Sequence, residues 1–476
     1  MREVVLNSLK WVAIGKAIGQ TVRWLTTIFT IRFLFPEDYA VIALSSFFTS
    51  LLWSFSRSGI SAALIREKEL DERTLSEFFT FTIIAHLSLF IILQSSASVL
   101  ADFYGDERLE DVIRFSSITF LIALIGFIPG TLLNRNMNFK KLSMVDATAE
   151  SISAVTTVTL AWAGFGFWSI IIGMLLAELL KQCGYLFKNT VWVMPRWFTS
   201  KTKSIFEFSW KASLQSTVGY MIFNVDVAIA GMYLSTIELG YYQFAVMLAM
   251  MPAAKVLPLL RQVAFPVYSN IQEDSKAIQH YFLKSLRLSA LLFVPVFFGL
   301  AAVSNTLTSA FFGDKWNGAT TVLFIYCLSM PLKGIEQLFG PLLKSLNKMN
   351  VIIGNTAIFG AVLIPSFFVG AQFGGEGLAI AWLVSFSGCF FISTSRSCNA
   401  LSIKHSSVLL LLVKPYLIGT TMLAACILLD TLLGNFINVW IVLLSQVLIG
   451  TFMYVGLTWL FSRDELKELM NLFKRK

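Results

Sequence analysis

The sequence predicts an all-α integral membrane protein with fourteen spanning helices. Three observations predict it. Hydrophobic residues make up 56% of the chain against 14% charged, with a mean hydropathy of +0.72. Apolar runs follow one another, each long enough to cross ~30 Å of hydrocarbon at ~1.5 Å per residue. Basic residues concentrate in alternate connections: of 37 Lys and Arg, the loops and helix ends on the N-terminal side hold 28, and the opposite side holds two, Arg108 and Lys315. This asymmetry places both termini in the cytoplasm.

The spans lie near 12–34, 39–62, 77–101, 112–133, 143–163, 166–188, 205–231, 239–265, 286–310, 317–340, 350–371, 375–399, 409–430 and 436–461. The first is long, polar in its middle and without a small-residue cleavage site, so it reads as a retained helix. Phe33-Leu34 and Asp38-Tyr39-Ala40-Val41 are echoed 200 residues on by Tyr233-Leu234 and Glu238-Leu239-Gly240-Tyr241. Gly130-Thr131-Leu132-Leu133 is echoed 210 residues on by Gly340-Pro341-Leu342-Leu343. These echoes predict two parallel six-helix lobes, 1–190 and 191–405, related by a pseudo-two-fold along the membrane normal, with the last two helices and a cytoplasmic tail in 406–476.

The first two spans carry cations at hydrocarbon depth. Lys16, Gln20, Arg23, Thr27 and Thr30 recur at steps of four, three, four and three, and so share one stripe; Ser46, Ser50, Trp53 and Arg57 do the same on the second span. Each Lys or Arg at that depth costs roughly 2.5–3.5 kcal/mol on insertion scales, so such residues face a wet cavity or snorkel to headgroups. Arg23 is the deepest and favours the cavity. Lys211 on the seventh span, Arg261 on the eighth and Lys333 on the tenth add charge from the second half. A cavity between the halves lined by cations implies an anionic cargo.

Asp146 and Glu150 stand one helical turn apart on the fifth span, Glu178 is on the sixth, and Asp226 is on the seventh. These acids read first as ion-pair partners for buried cations such as Arg23 or Arg57, and second as coupling groups. His86, alone in its span, reads as a satisfied packing residue. Pro252, Pro258 and Pro266 are either a hinge in the eighth span or tolerated kinks.

Other classes are excluded or disfavoured. The net charge of +9 comes from loops at helix ends, which does not suggest nucleic acid. Cys183, Cys327, Cys389, Cys398 and Cys426 form no CxxC pair, so neither a metal site nor a disulfide framework follows. There is no GxxxxGK[ST], and Gly164-Phe165-Gly166-Phe167 is a turn between helices. No loop exceeds about twenty residues, leaving no room for a soluble catalytic domain. The chain therefore reads as a transporter rather than an enzyme, without a cofactor and monomeric by default.

Phe33-Leu34-Phe35-Pro36-Glu37-Asp38-Tyr39-Ala40, Ser58-Gly59-Ile60-Ser61-Ala62-Ala63-Leu64-Ile65-Arg66 and Phe103-Tyr104-Gly105-Asp106-Glu107-Arg108-Leu109 resemble the family of Wzx-type O-antigen and colanic-acid flippases. So do Asn134-Arg135-Asn136-Met137-Asn138-Phe139-Lys140-Lys141-Leu142, Asn224-Val225-Asp226, Leu239-Gly240-Tyr241-Tyr242 and Ala264-Phe265-Pro266-Val267-Tyr268-Ser269-Asn270-Ile271-Gln272. The resemblance runs from about residue 8 to 460 and departs at Ala40, where the family commonly has glycine. It implies membership of the multidrug/oligosaccharidyl-lipid/polysaccharide transporter superfamily. It also implies an inner-membrane flippase that moves undecaprenyl-pyrophosphate-linked oligosaccharide to the outer leaflet by alternating access. Polysaccharide polymerase and chain-length machinery are candidate partners. Arg23 and Arg57 are similar in placement to arginines of related lipid II flippases. The expected site is then Arg23, Arg57 and Lys211 around the pyrophosphate, with Lys16, Arg261 and Lys333 further out. The rival readings are a drug or cation antiporter of the same superfamily and, less favoured, a membrane glycosyltransferase or ligase.

Overall fold

The computed structural model describes residues 19, 22, 26–66, 70–191, 193–270, 274–434, 436–461 and 463. Among them the chain is helical, with no strand. The helices are α1 Pro36–Arg66, α2 Glu72–Tyr104, α3 Arg108–Arg135, α4 Phe139–Trp162, α5 Trp168–Lys188, α6 Ser200–Tyr233, α7 Thr236–Asn270, α8 Ser275–Ala302, α9 Ser304–Phe311, α10 Thr320–Glu336, α11 Phe339–Ser345, α12 Met349–Ala371, α13 Gly374–Ala400, α14 His405–Leu433 and α15 Val439–Phe461, with a 3-10 turn at Asp314–Ala319 between α9 and α10. Ten stretches among the described residues are long and apolar enough to cross a membrane. Three more helices, α4, α6 and α7, have spanning length at 24, 34 and 35 residues.

Local chemistry sets the helix ends. Pro36 opens α1, where its missing N–H costs nothing. The Phe35 N–H donates to the Asp38 carboxylate at 2.8 Å, so the short turn seen in sequence is tied by its own acid. Asp71 caps α2 by accepting from the Thr74 N–H at 2.8 Å, and Gly105 ends it in the left-handed region at φ 69. After α3, α11 and α13 the same turn recurs. In each, a residue at positive φ (Met137, Asn347, Ser402) is followed by an N–H that reaches back five residues. Asn138 donates to the Leu133 carbonyl at 2.9 Å, Lys348 to Leu343 at 2.8 Å and Ile403 to Cys398 at 2.9 Å.

The contacts gather into two compact units, Met1–Met232 and Tyr233–Lys476. In the first, α3 packs on α1, α2 and α5, and α4 lies on α5. Its core joins Ile60, Ala63 and Leu64 of α1 to Phe78 of α2 and to Phe127, Ile128 and Leu132 of α3. In the second, α10 packs on α7, α8 and α13, α12 on α13, and α14 on α8 and α15. One cluster there gathers Val294, Phe298, Ala302, Ile418, Met422, Cys426 and Tyr454. Leu410, Leu417, Leu428, Phe452 and Trp459 on α14 and α15 are exposed, the pattern of a lipid-facing surface. α7 runs unbroken through Pro252, Pro258 and Pro266, so these prolines do not divide it into two helices. The five cysteines are free, four of them buried.

Positive-φ residues recur at about the spacing of the sequence echo. Met137 and Asn347 (φ 55 and 57) stand 210 positions apart, as do Gly164 and Gly374 (φ 86 and 75); Gly105 and Gly313 (φ 69 and 83) stand 208 apart. The last pair sits in Phe103-Tyr104-Gly105-Asp106 and Phe311-Phe312-Gly313-Asp314, a match that the two shorter echoes do not include.

Candidate functional site

The helices meant to carry the cationic site meet within the first unit at a glycine. A Cβ on Gly59 of α1 would collide with the Ser213 hydroxyl and the Ser209 carbonyl oxygen of α6, with the Ser209 carbonyl carbon 3.0 Å away. Only a residue without a side chain lets the two backbones approach this closely. Along the same seam the Ser54 hydroxyl bonds the Thr217 hydroxyl at 3.3 Å, and the rings of Phe55 and Trp210 meet edge-on at 5.2 Å. Arg57 lies two positions before Gly59, and Lys211 lies midway between Ser209 and Ser213. The crossing therefore sets positions 57 and 211 on adjoining helices.

Of the six predicted cargo-binding cations, Lys16 and Arg23 lie outside the described residues. Arg57 stands on α1 and Arg261 on α7, with side chains outside those described. Lys211 is exposed. Lys333 is buried, 8% exposed, with its ammonium 3.2 Å from the ring centre of Trp382 and 4.1 Å from that of Tyr326.

The acids form a second constellation. α5 presents Glu178, Lys181, Gln182 and Tyr185, at steps of three, one and three, toward α3 and α4. Small residues set α5 deep: a Cβ added to Gly126 of α3 would stand 2.8 Å from the Gln182 Cα, and one added to Gly130 would stand 2.8 Å from the Tyr185 ring. The Ser153 hydroxyl donates to the Gly173 carbonyl at 2.6 Å. In this frame the Tyr185 hydroxyl donates to Asp146, Lys181 pairs with Glu150 at 3.1 Å, and the Gln182 amide donates to Glu178 at 2.5 Å. Glu150 also lies against Gly19 of the first span. Asp226 is buried in α6. His86 bonds the Ser56 hydroxyl at 3.1 Å and the Thr82 carbonyl at 2.8 Å, and Trp53, Phe120 and Phe127 surround it, as a packed, satisfied imidazole should be.

Two cavities open along this face of α5. One, of about 300 Å³, includes Ser61, Thr131, Asn134, Asp146, Lys181 and Gln182 in its wall. The other, of about 180 Å³, is walled by Ser46, Thr49, Ser50, Ser116 and Thr119 among apolar residues. Trp53 and Glu178 belong to both. Sequence reading singled out Asp146, Glu150 and Glu178 but missed Lys181, Gln182 and Tyr185. The periodicity that marked the first span marks these too.

The model of the family described as polysaccharide biosynthesis protein matches residues 30–321. The succinoglycan biosynthesis transport protein ExoT of Rhizobium meliloti (strain 1021) is 23% identical over 478 residues, covering 100% of this chain and 96% of that protein. The teichuronic acid biosynthesis protein TuaB of Bacillus subtilis (strain 168) is 26% identical over 76% of each chain. The lipopolysaccharide biosynthesis protein WzxC of Escherichia coli (strain K12) is 22% identical over 81% of this chain and 79% of its own. Among solved structures, the lipid II flippase MurJ in an inward closed conformation superposes with a TM-score of 0.74 at 18% identity, over 97% of this chain and 100% of that one. An inward-facing multidrug resistance transporter of the MATE family follows at 0.65 and 14%, over 82% and 99%. These likenesses give the fold, and the kin are of transporter and flippase type rather than enzymes. With more than half of its length matched by the family model, this multi-pass membrane chain belongs to the polysaccharide biosynthesis protein family, the group of Wzx-type polysaccharide exporters.

Proposed function

We propose that the protein is a flippase carrying undecaprenyl-pyrophosphate-linked oligosaccharide from the cytoplasmic to the outer leaflet of the inner membrane by alternating access. Arg23, Arg57 and Lys211 compensate the pyrophosphate, and Lys16, Arg261 and Lys333 add field from further out. The relatives named for succinoglycan transport and lipopolysaccharide biosynthesis carry this reading; the α1–α6 crossing sets positions 57 and 211 on adjoining helices, each about 200° round its helix from the contact. A pyrophosphate entering hydrocarbon alone faces a desolvation penalty of many kcal/mol, which only several nearby cations offset. The relatives' roles in succinoglycan transport and lipopolysaccharide biosynthesis support a glycan cargo. The fuller architecture belongs to the same proposal. The first span with α4, α6 and α7 brings the ten apolar spans to fourteen. The repeats run 1–190 and 191–405 with 406–476 appended, both termini are cytoplasmic, and the chain works as a monomer.

The test is glycan export in cells whose own exporter is deleted, at matched membrane levels of each variant. Arg57→Ala and Lys211→Ala each lose a charged contact worth about 1.5–3 kcal/mol, so export should fall roughly 10- to 100-fold. Export at the wild-type rate in both variants rejects the site. The acid-lined cavities of the first unit favour one second reading, a cation-coupled drug antiporter. Efflux of a cationic dye, with no effect on glycan export, is its signature.

A further inference from the structure

α12 and α13 bring an arginine to the membrane surface and hold it there. Arg396 stands four residues before the end of α13, the end that the distribution of basic residues assigns to the cytoplasmic side. At ~1.5 Å per residue it lies about 6 Å inside the helix terminus, close to headgroup depth. Its side chain crosses to α12, with Nη2 2.5 Å from where a Cβ on Gly354 would sit, and its Nε–H donates to the Asn355 side-chain oxygen at 3.1 Å. Asn355 is itself fixed. It is 6% exposed, and its amide nitrogen donates to the Ser397 hydroxyl at 3.1 Å and to the Ser393 carbonyl at 3.4 Å, which turns its oxygen toward the guanidinium. Among the described residues the Arg396 side chain has no ion pair and no other hydrogen bond. Its terminal N–H groups are left for a ligand, and the residue is exposed. Ile392, one turn earlier on the same stripe of α13, and Ile353, next to Gly354, are exposed as well.

We infer that Arg396, held by Asn355 across Gly354, binds the phosphate of an anionic phospholipid in the cytoplasmic leaflet, with an acyl chain along Ile392 and Ile353. A guanidinium offers two parallel N–H donors that match two phosphate oxygens. A snorkelling arginine reaches headgroups too, but with a loose side chain. Here the fork is set before the lipid arrives, so binding has little left to order. Glycine at 354 and asparagine at 355 are the residue types this needs: one leaves room for the guanidinium, and the other is a neutral acceptor that orients it without cancelling its charge. One guanidinium suits one phosphodiester, whereas the pyrophosphate of the proposed cargo calls for several cations. A zwitterionic lipid brings its own ammonium beside the phosphate, which the guanidinium repels. Phosphatidylglycerol is therefore preferred to phosphatidylethanolamine. The choice of leaflet rests on the orientation read from charge. The binding does not.

The test titrates the purified full-length protein in detergent with phosphatidylglycerol, or with phosphatidylethanolamine of the same acyl chains, and follows each binding step by native mass spectrometry. In the wild type one step should favour phosphatidylglycerol several-fold. Arg396→Gln should weaken that step about tenfold, the loss of a charge-assisted pair, and abolish the preference. Arg396→Lys keeps the charge and loses the fork, and Asn355→Leu keeps the fork and frees it, so both should fall between. Lys276→Gln, which removes an exposed cation from the start of α8, should change nothing. Three outcomes overturn the site: equal affinity of the wild type for the two lipids, undiminished phosphatidylglycerol binding in Arg396→Gln, or the same loss in Lys276→Gln as in Arg396→Gln. If Arg396→Gln does not fold, Arg396→Lys decides, and binding as tight as in the wild type rejects the fork. None of these variants touches Arg57 or Lys211, so failure here leaves the carrier reading standing, and export unchanged in Arg57→Ala and Lys211→Ala leaves this site standing.

Discussion

Lys333 offers a quantitative test of what a buried cation does in this protein. Its ammonium lies 3.2 Å from the centre of the Trp382 ring and 4.1 Å from that of Tyr326, and the residue is 8% exposed while Trp382 is 2% exposed. A desolvated cation over an aromatic face gains about 2 kcal/mol, whereas burying an ammonium costs several kcal/mol. Lys333→Met keeps the length of the side chain and removes both terms together. Folding stability should then change by less than about 1 kcal/mol, since burying apolar atoms of similar volume in place of a buried charge is often neutral. Trp382→Leu is different: it leaves the ammonium without its principal ring and opens space in the core, a loss of about 3–5 kcal/mol. In a Lys333→Met background the same ring should be worth about 1–2 kcal/mol less, because no cation is stranded. Denaturation of the four proteins in detergent gives this coupling directly. A coupling within about 0.3 kcal/mol of zero refutes the attraction. Loss of export in Lys333→Met at unchanged stability would instead give the ammonium a role in transport.

Two further substitutions probe the first unit. Glu77 is 1% exposed and accepts from the Thr199 N–H at 3.3 Å, from the Thr199 hydroxyl at 3.1 Å and from Arg73 at 3.3 Å; Thr80 holds the same segment through the Arg196 carbonyl at 2.8 Å. Glu77→Ala should cost about 2–4 kcal/mol by stranding these donors, and should speed tryptic cleavage after Arg196 several-fold at a temperature where the wild type resists. At the α3–α5 crossing, a Cβ on Gly126 would meet the Gln182 Cα at 2.8 Å. Gly126→Val should therefore force the helices apart at a cost of about 1–3 kcal/mol, read as a lower melting temperature. An unchanged melting temperature would show that α5 shifts freely.

Much of the fold was legible because hydrocarbon is an unforgiving solvent. Backbone groups inside it must pair within one helix, so apolar run length alone marks the spans. The short runs of turn residues mark the ends, as Phe35-Pro36-Glu37-Asp38 does for α1. The sequence echo between Gly130 and Gly340 is short. Gly105 and Gly313 both take positive φ inside the similar tetrapeptides Phe103-Tyr104-Gly105-Asp106 and Phe311-Phe312-Gly313-Asp314, but their ψ values of 28 and 175 differ, so the residues match there more closely than the backbone does. The three prolines do not divide α7 into two helices, which agrees with a proline's backbone groups being met within a spanning helix.

The site was less legible, for a reason that can be stated residue by residue. Periodicity places Asp146 and Glu150 on one face of α4, and Glu178, Lys181, Gln182 and Tyr185 on one face of α5, but it does not say that these two faces meet. What joins them is the set of glycines that lets α5 sink between its neighbours, and a glycine carries no side chain to signal its partner. The consequence is physical as well as diagnostic. With Gly126 and Gly130 holding α5 close, Gln182 cannot swing outward to find water, so its amide oxygen stays where the packing leaves it. An orphaned acceptor beside a carboxylate is then the product of close helix packing, and Gly126→Val, which relaxes that packing, should let the oxygen reach water.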